Sequence, residues 1–123
     1  MDVPSFHDGY FDGLRLGPDK LVHLFLRTVH GESYTLTLRG VERLALTEVR
    51  QGNILFDLVF RGPEEITLSD IQDLYFYGNR GDTSQATNLL QRTQTQGFRV
   101  LEINASYGAQ GLVLFQDCEI ANS

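Results

Sequence analysis

Hydrophobic and polar residues alternate along much of this 123-residue chain, and such alternation predicts β-strands. Between Lys20 and Val29 one side of the predicted strand carries Val22, Leu24 and Leu26, and the other carries His23, Phe25 and Arg27. The turn-like His30-Gly31-Glu32 follows. The alternation resumes from Tyr34 to Arg39, so the two runs predict a β-hairpin. Asn53 to Arg61 alternates in the same way between glycine-containing turns. Further strands are predicted at Tyr10 to Leu16, Val41 to Leu46, Phe98 to Ala105 and Gly111 to Ile120.

Helical patterns are sparse, and the best candidate covers residues 83–96. The candidate N-cap residues are Asp82, Thr83 and Ser84. The segment continues through Thr95 and stops before Gly97, and its mostly polar composition predicts a helix on the outside of a sheet. Ser69 to Phe76 starts with acids, as a first helical turn does, but ends with aromatics that favour a strand. We predict a short helix there.

Short strands separated by turn signals predict a mainly β fold, or β-rich α+β. We expect an antiparallel barrel or sandwich of about six to eight strands, with one surface helix near residues 83–96. The length is that of a single domain, so residues 1–123 are predicted to form one β-rich domain.

Charge excludes one class of partner. Ten Lys and Arg residues against sixteen Asp and Glu residues give a net charge of −6 at pH 7. A nucleic-acid binder needs a basic footprint, so this acidic chain is not expected to bind nucleic acid. No apolar run approaches the roughly 20 residues that a membrane helix requires, so no membrane association is expected.

The cysteine content and the start of the chain predict a cytoplasmic protein. Cys118 is the single cysteine, which excludes an internal disulfide and a zinc site built from cysteines. The first residues lack the basic and then apolar pattern of a secretory signal. Cys118 is predicted to share a face with Leu112, Leu114 and Ile120, and so to be a core thiol.

The densest group of reactive side chains lies in Phe6-His7-Asp8-Gly9-Tyr10-Phe11-Asp12-Gly13. His7 paired with Asp8 or Asp12 would suit general base catalysis, because a carboxylate fixes the imidazole tautomer. Adjacent residues on a strand point to opposite faces, however, and Asp-Gly pairs are typical of turns in which glycine takes a positive φ. We therefore expect a turn, and keep catalysis by His7, Asp8 and Asp12 as the alternative.

No cofactor is expected, and the potential metal ligands lack a recognisable spacing. These donors are His7, Asp8, Asp12, His23, His30 and Asp57. Because that spacing is missing, no metal site is predicted. The serines also lie outside the motifs of nucleophilic enzymes, and the glycines lie outside phosphate-binding motifs.

An acidic run and an aromatic run are the candidate contact residues for a partner protein. They are Glu64, Glu65, Asp70, Asp73, Tyr75 and Tyr77. Exposed acids attract a basic partner, and exposed aromatics are favoured anchors at interfaces. The alternatives are an ordinary solvated face for the acids and a core or edge-strand position for the aromatics.

Three short phrases resemble small uncharacterised bacterial β-domain proteins, some of which look like immunity proteins of toxin systems. They are Phe6 to Gly13, Gly52-Asn53-Ile54-Leu55 and Ser106-Tyr107-Gly108-Ala109. The resemblance implies a cytoplasmic, non-enzymatic protein that binds a partner protein, and it brings no catalytic residues with it.

We therefore predict a non-enzymatic, immunity-like protein-interaction module with a basic protein as partner. A small ligand-binding or hydrolytic β-barrel using His7, Asp8 and Asp12 is the alternative. Some predicted strands are apolar on both faces, which also keeps a homo-oligomer open.

Overall fold

A computed structural model describes residues 3–76 and 83–123, and eight strands of these residues form one sheet. The strands are β1 Tyr10–Leu16, β2 Val22–Arg27, β3 Ser33–Arg39, β4 Arg43–Thr47, β5 Asn53–Arg61, β6 Arg99–Tyr107, β7 Gln110–Phe115 and β8 Asp117–Asn122. A 3₁₀ turn at Pro63–Glu65 and the helices α1 (Leu68–Phe76) and α2 (Thr83–Thr95) lie between β5 and β6.

Every strand pair is antiparallel, in the order β4-β7-β6-β5-β1-β2-β3-β8. The predicted mainly β, antiparallel fold is confirmed. The predicted hairpin is present as β2 and β3, with Leu24 opposite Leu36. Both of these leucines are completely buried, because residues at alternate positions of a strand share one face.

The sheet closes on itself through one bent ribbon. β3 pairs with β8 as far as Arg39 opposite Asp117, and the backbone N–H of Gln116 then donates to the carbonyl of Arg39 at 2.9 Å. The N–H of Glu42 donates to the carbonyl of Leu114 at 2.9 Å, and β4 continues the pairing along β7. One rolled sheet therefore surrounds one core, which is a barrel arrangement and not a sandwich of two sheets.

Two apolar clusters hold the fold. The main cluster lies inside the sheet and takes residues from β1, β2, β3, β5, β6 and β7, among them Phe11, Leu55 and Phe115. The second cluster joins the helices to the outer face of β6 and β7, where Ile71 and Leu74 of α1 pack with Leu112 and Leu114. The helices thus cover one side of the barrel.

The predicted strand from Gly111 to Ile120 is wrong as a single element, because it divides at Gln116 into β7 and β8. Val113 and Phe115 face the main cluster, whereas Leu112 and Leu114 face the helices. Cys118 and Ile120 pack against the main cluster, so Cys118 does not share a face with Leu112 and Leu114 as predicted. The bend at Gln116 shifts the alternation between the two strands.

Each of the two helical predictions corresponds to an observed helix. α2 ends at Thr95, and Gly97 follows with a φ of 76°, as expected of a glycine that terminates a helix. The fold has a second helix beside the surface helix of the prediction, since Ser69 to Phe76 lies within α1. Neither helix is long and apolar enough to cross a membrane.

Candidate functional site

His7 and Asp8 lie in a tight turn ahead of β1, closed by a 2.8 Å bond from the N–H of Gly9 to the carbonyl of Phe6. Asp8 has a φ of 62°, which brings its Oδ2 to 3.5 Å from Nε2 of His7. The argument that adjacent residues point apart does not apply, because this segment is not a strand. His7 and Asp8 therefore form a contact, with both side chains more than half exposed.

The imidazole of His7 is held by β5. Its Nδ1 lies 2.8 Å from the carbonyl oxygen of Phe56, so Nδ1 carries the proton, since a carbonyl only accepts. The imidazole also meets the Phe56 ring edge-on, with 5.2 Å between ring centroids. The remaining nitrogen, Nε2, faces Asp8 at the surface.

Asp12 has a different role. Its two carboxylate oxygens accept hydrogen bonds of 2.6 and 2.9 Å from Arg27 on the neighbouring strand β2. Arg27 also lies over the Tyr10 ring, 4.4 Å from its centroid. The hydrogen bond that Arg27 donates to Asp12 raises the pKa of Arg27 above its ordinary value. Within residues 3–76 and 83–123 no hydrogen bond or ion pair joins Asp12 to His7, so the three residues do not form one catalytic group.

The Asp-Gly turn forms at residues 8 and 9, but the roles of the two residues are reversed. We expected the glycine to take the positive φ, and the structure gives that conformation to Asp8. Gly9 is buried instead, and a Cβ built there would lie 2.3 Å from the carbonyl oxygen of Arg27. Gly9 therefore allows the turn to pack closely on β2.

Substitution of Gly9 tests this close approach. Gly9→Ala is expected to lower the free energy of unfolding by about 1–3 kcal/mol, because the new methyl group collides with backbone. Gly17→Ala is the matched control, since its Cβ would lie 3.3 Å from the nearest atoms, which belong to the Leu21 side chain. Urea denaturation of both variants measures the difference, and equal stability would contradict the assigned role.

The other potential metal ligands are dispersed. Nδ1 of His23 lies 3.1 Å from Oγ1 of Thr37, and Asp57 accepts a 2.7 Å hydrogen bond from Asn104. His30 is exposed in the turn between β2 and β3. No group of three or more His, Cys, Asp or Glu residues in the described part of the chain could hold a metal ion. Cys118 is half-buried, and its burial raises the pKa of the thiol.

The predicted partner-binding acids divide into one buried residue and three exposed ones. Asp70 is 7% exposed and accepts hydrogen bonds of 2.6 and 2.8 Å from the guanidinium of Arg61. Asp70 is thus not part of an exposed acidic patch. Glu64, Glu65 and Asp73 are exposed, and we call these three residues the acidic surface.

Asp70 also starts α1. Its Oδ2 accepts a 2.8 Å bond from the N–H of Thr67, while the Thr67 hydroxyl accepts a 3.1 Å bond from the N–H of Asp70. This reciprocal pair is a capping box, so Thr67 caps the helix. Burial raises the pKa of Asp70, but the hydrogen bonds from Arg61 and Thr67 outweigh it and lower the pKa below its ordinary value.

Sequence reasoning missed Arg61, which joins these elements. Its guanidinium donates to the carbonyl of Glu65 at 3.1 Å as well as to Asp70, and its Nε lies 3.3 Å from Oε2 of Glu102 on β6. That Nε is buried and makes no hydrogen bond in the described part of the chain, so the contact with Glu102 is an ion pair without hydrogen-bond geometry. The signal in the sequence was a lone arginine directly before the acidic run.

A groove of about 690 Å³ opens beside Arg61, on the outer face of β4, β6 and β7. All five residues of β4 line it, and Asp70, Asp73 and Leu74 of α1 form one wall. Across from that wall lie Glu102 and Asn104 of β6.

Comparison with known proteins adds no relative. No family model, curated protein or solved structure matches this chain. The candidate site therefore depends on its own geometry.

Tyr75, one of the predicted aromatic contact residues, lies on α1 and is half-buried. The guanidinium of Arg43 on β4 lies over its ring, 4.6 Å from the ring centroid. Tyr75 packs against the helical cluster, which matches the core alternative. Tyr77 lies outside the described residues, and so does Asp82, one of the candidate N-cap residues.

Proposed function

We propose that this protein is a non-enzymatic module that binds a basic partner protein through the acidic surface of Glu64, Glu65 and Asp73. One observation carries the proposal: these exposed acids form no ion pair with residues 3–76 or 83–123, although they lie around an arginine, Arg61, whose charge Asp70 already matches. The unmatched negative charge is thus available to a partner.

The position of the three acids supports a shared surface. Glu64 and Glu65 form the 3₁₀ turn after β5, and Arg61 binds the carbonyl of Glu65. Asp73 lies one helical turn beyond Asp70 and lines the groove. Together with the net charge of −6, they provide a field that would attract a basic protein and speed its association.

Dispersion of the reactive side chains also supports binding without catalysis. A catalytic group needs a base, its orienting carboxylate and a recess for the substrate. Here Asp12 is paired with Arg27, and His7 and Asp8 contact each other at the open surface. With the single cysteine of the chain, this fits a cytoplasmic, immunity-like binding protein, the class that the sequence resembles.

One observation favours the alternative, a ligand-binding or hydrolytic barrel. Nε2 of His7 and Oδ2 of Asp8 are 3.5 Å apart, so the carboxylate would stabilise the imidazole once Nε2 takes up a proton. His7 also borders a cavity of about 180 Å³ together with Ser5 and Asp57. That volume is below the roughly 300 Å³ at which small-molecule sites begin, so we place this function second.

Capture from the native host lysate with immobilised protein tests the proposed function. Wild-type protein is expected to retain one basic protein in stoichiometric amount, identified by mass spectrometry. Glu64→Gln, Glu65→Gln and Asp73→Asn combined remove the acidic surface while keeping side-chain shape. Three exposed ion pairs are each worth about 0.2–1 kcal/mol, so this variant should bind about 3- to 150-fold more weakly.

A second triple variant controls for net charge. Asp19→Asn, Glu32→Gln and Asp117→Asn remove the same number of charges from exposed positions on turns and on β8. This control should retain the partner as wild type does. Equal loss in both variants, or a tightly bound small molecule in place of a protein, would count against the proposal.

A further inference from the structure

The strand β4 stands at one end of the strand order and extends past the point where β3 and β8 close the sheet. It pairs with β7 along one side, and no other strand in the described ranges pairs with it. An edge strand presents a row of unpaired N–H and C=O groups to which an extended chain can add. The five residues of β4 span about 17 Å, enough for a short peptide segment.

The other edge, β8, is protected by charge. Asp117 and Glu119 both pair with Arg39 of β3, so charged side chains line its outer face. Such charges discourage the addition of another strand. On β4, Arg43 is drawn over the Tyr75 ring, and the next two outward residues are Ala45 and Thr47, which are small. Thus β4 is the less protected edge.

The groove described above runs over this same strand. Its volume of about 690 Å³ falls in the range of binding sites, and its lining is part polar and part apolar. Gly111 of β7 keeps its floor close to β4, because a Cβ there would lie 1.9 Å from the carbonyl oxygen of Ala45. The groove therefore combines a strand edge with a recess for side chains.

Charge identifies the occupant. The lining holds three acids (Asp70, Asp73 and Glu102) and two arginines (Arg43 and Arg61), a balance of 2 − 3 = −1. Asp70 and Glu102 both face Arg61, so the lining keeps one excess negative charge. Of the other two charged groups, Arg43 lies over the Tyr75 ring, and Asp73 forms no ion pair in the described part of the chain. A cationic side chain lying in the groove would complete this arrangement.

We infer that an extended, lysine- or arginine-bearing segment of the partner adds to β4 as a further strand and places a cationic side chain against Asp73. This inference rests on the proposed function, and it specifies how the basic partner is held. Backbone hydrogen bonds to β4 supply affinity, and Asp73 supplies the preference for a basic residue.

Nuclear magnetic resonance titration with a synthetic peptide tests the inference without the natural partner. The probe is an acetylated octapeptide of alternating lysine and threonine, compared with a glutamate-threonine peptide and with a lysine-threonine peptide that is N-methylated at alternate residues. We expect amide shifts centred on residues 43–47 with the first peptide. N-methylation keeps the charge but removes strand hydrogen bonds, so it should weaken binding at least tenfold.

The variant Asp73→Asn should weaken binding of the lysine-threonine peptide up to about fivefold, the effect of one exposed ion pair. Shifts centred on residues 117–122, equal binding of the N-methylated peptide, or no shifts at millimolar concentration would overturn the inference. Any of these together with a captured basic protein would leave the proposed function standing. If the peptide shifts residues of β4 but the lysate experiment captures no basic protein, the proposed partner is contradicted. The inference is then contradicted as well, because it concerns a segment of that partner.

Discussion

Asp70→Ala is expected to lower the free energy of unfolding by about 3 kcal/mol, because it leaves the guanidinium of Arg61 largely buried without its main partner. The same change removes the capping box that starts α1. Urea denaturation measures the effect as a lower midpoint with an unchanged slope. Asp73→Ala, one turn further along the same helix, is the matched control and should change stability by less than about 0.5 kcal/mol.

The pH dependence of stability gives a second signature of Asp70. Its pKa in the folded protein is lowered, so the folded state favours the charged carboxylate. That contribution is complete above the unfolded pKa of about 3.9 and is lost as the pH falls through the lower folded pKa. Below about pH 4, wild-type stability should therefore fall more steeply than that of Asp70→Asn. Parallel curves would show that Asp70 is not the linked group.

Phe115→Ala is expected to destabilise the protein by about 3–5 kcal/mol. Phe115 is completely buried at the end of β7, next to the bend at Gln116, and meets Phe60 edge-on with 6.4 Å between ring centroids. Its loss would leave a cavity in the main cluster where the bent ribbon closes the sheet.

Phe56→Ala is the matched control for Phe115, since it removes the same ring from a side chain that is 51% exposed. A change below about 1 kcal/mol is expected, because little apolar area returns to water. Thermal or urea unfolding of both variants compares them directly. Similar losses in the two variants would contradict the assignment of Phe115 to the closing core.

Alternation alone predicted the strands whose one face is buried and whose other face is open. β1 and β5 have the predicted bounds, because each lies between turn residues that interrupt the pattern. β7 and β8 were merged because the buried run Leu112 to Phe115 has both faces covered, by the barrel core and by the helices. A strand that is buried on both faces shows no alternation of polar and apolar residues, so that alternation does not indicate where the strand ends.

The acidic residues show why the candidate site was only partly predictable. Glu64, Glu65 and Asp73 are exposed acids, as their positions in an acidic run indicated. Asp70 belongs to the same run, but its environment depends on Arg61, which lies on β5 and meets the start of α1 only in the folded chain. The groove over β4 is likewise a product of tertiary structure, since β4, β7 and α1 are distant in sequence.

The contact between His7 and Asp8, in the turn before β1, was also not predictable from the sequence. Neighbours in sequence were expected to diverge, and a single positive φ at Asp8 brings its carboxylate to His7. Residue types alone do not report this conformation, because aspartate adopts it less often than glycine.

Native mass spectrometry of the protein isolated from its own cells tests the central claim most directly. A species in which one chain is bound to one basic protein, and which dissociates as salt is raised, is the predicted result. Dissociation by salt should follow because the contacts of the acidic surface are exposed and screened. A chain that carries a small molecule and no protein would contradict the account.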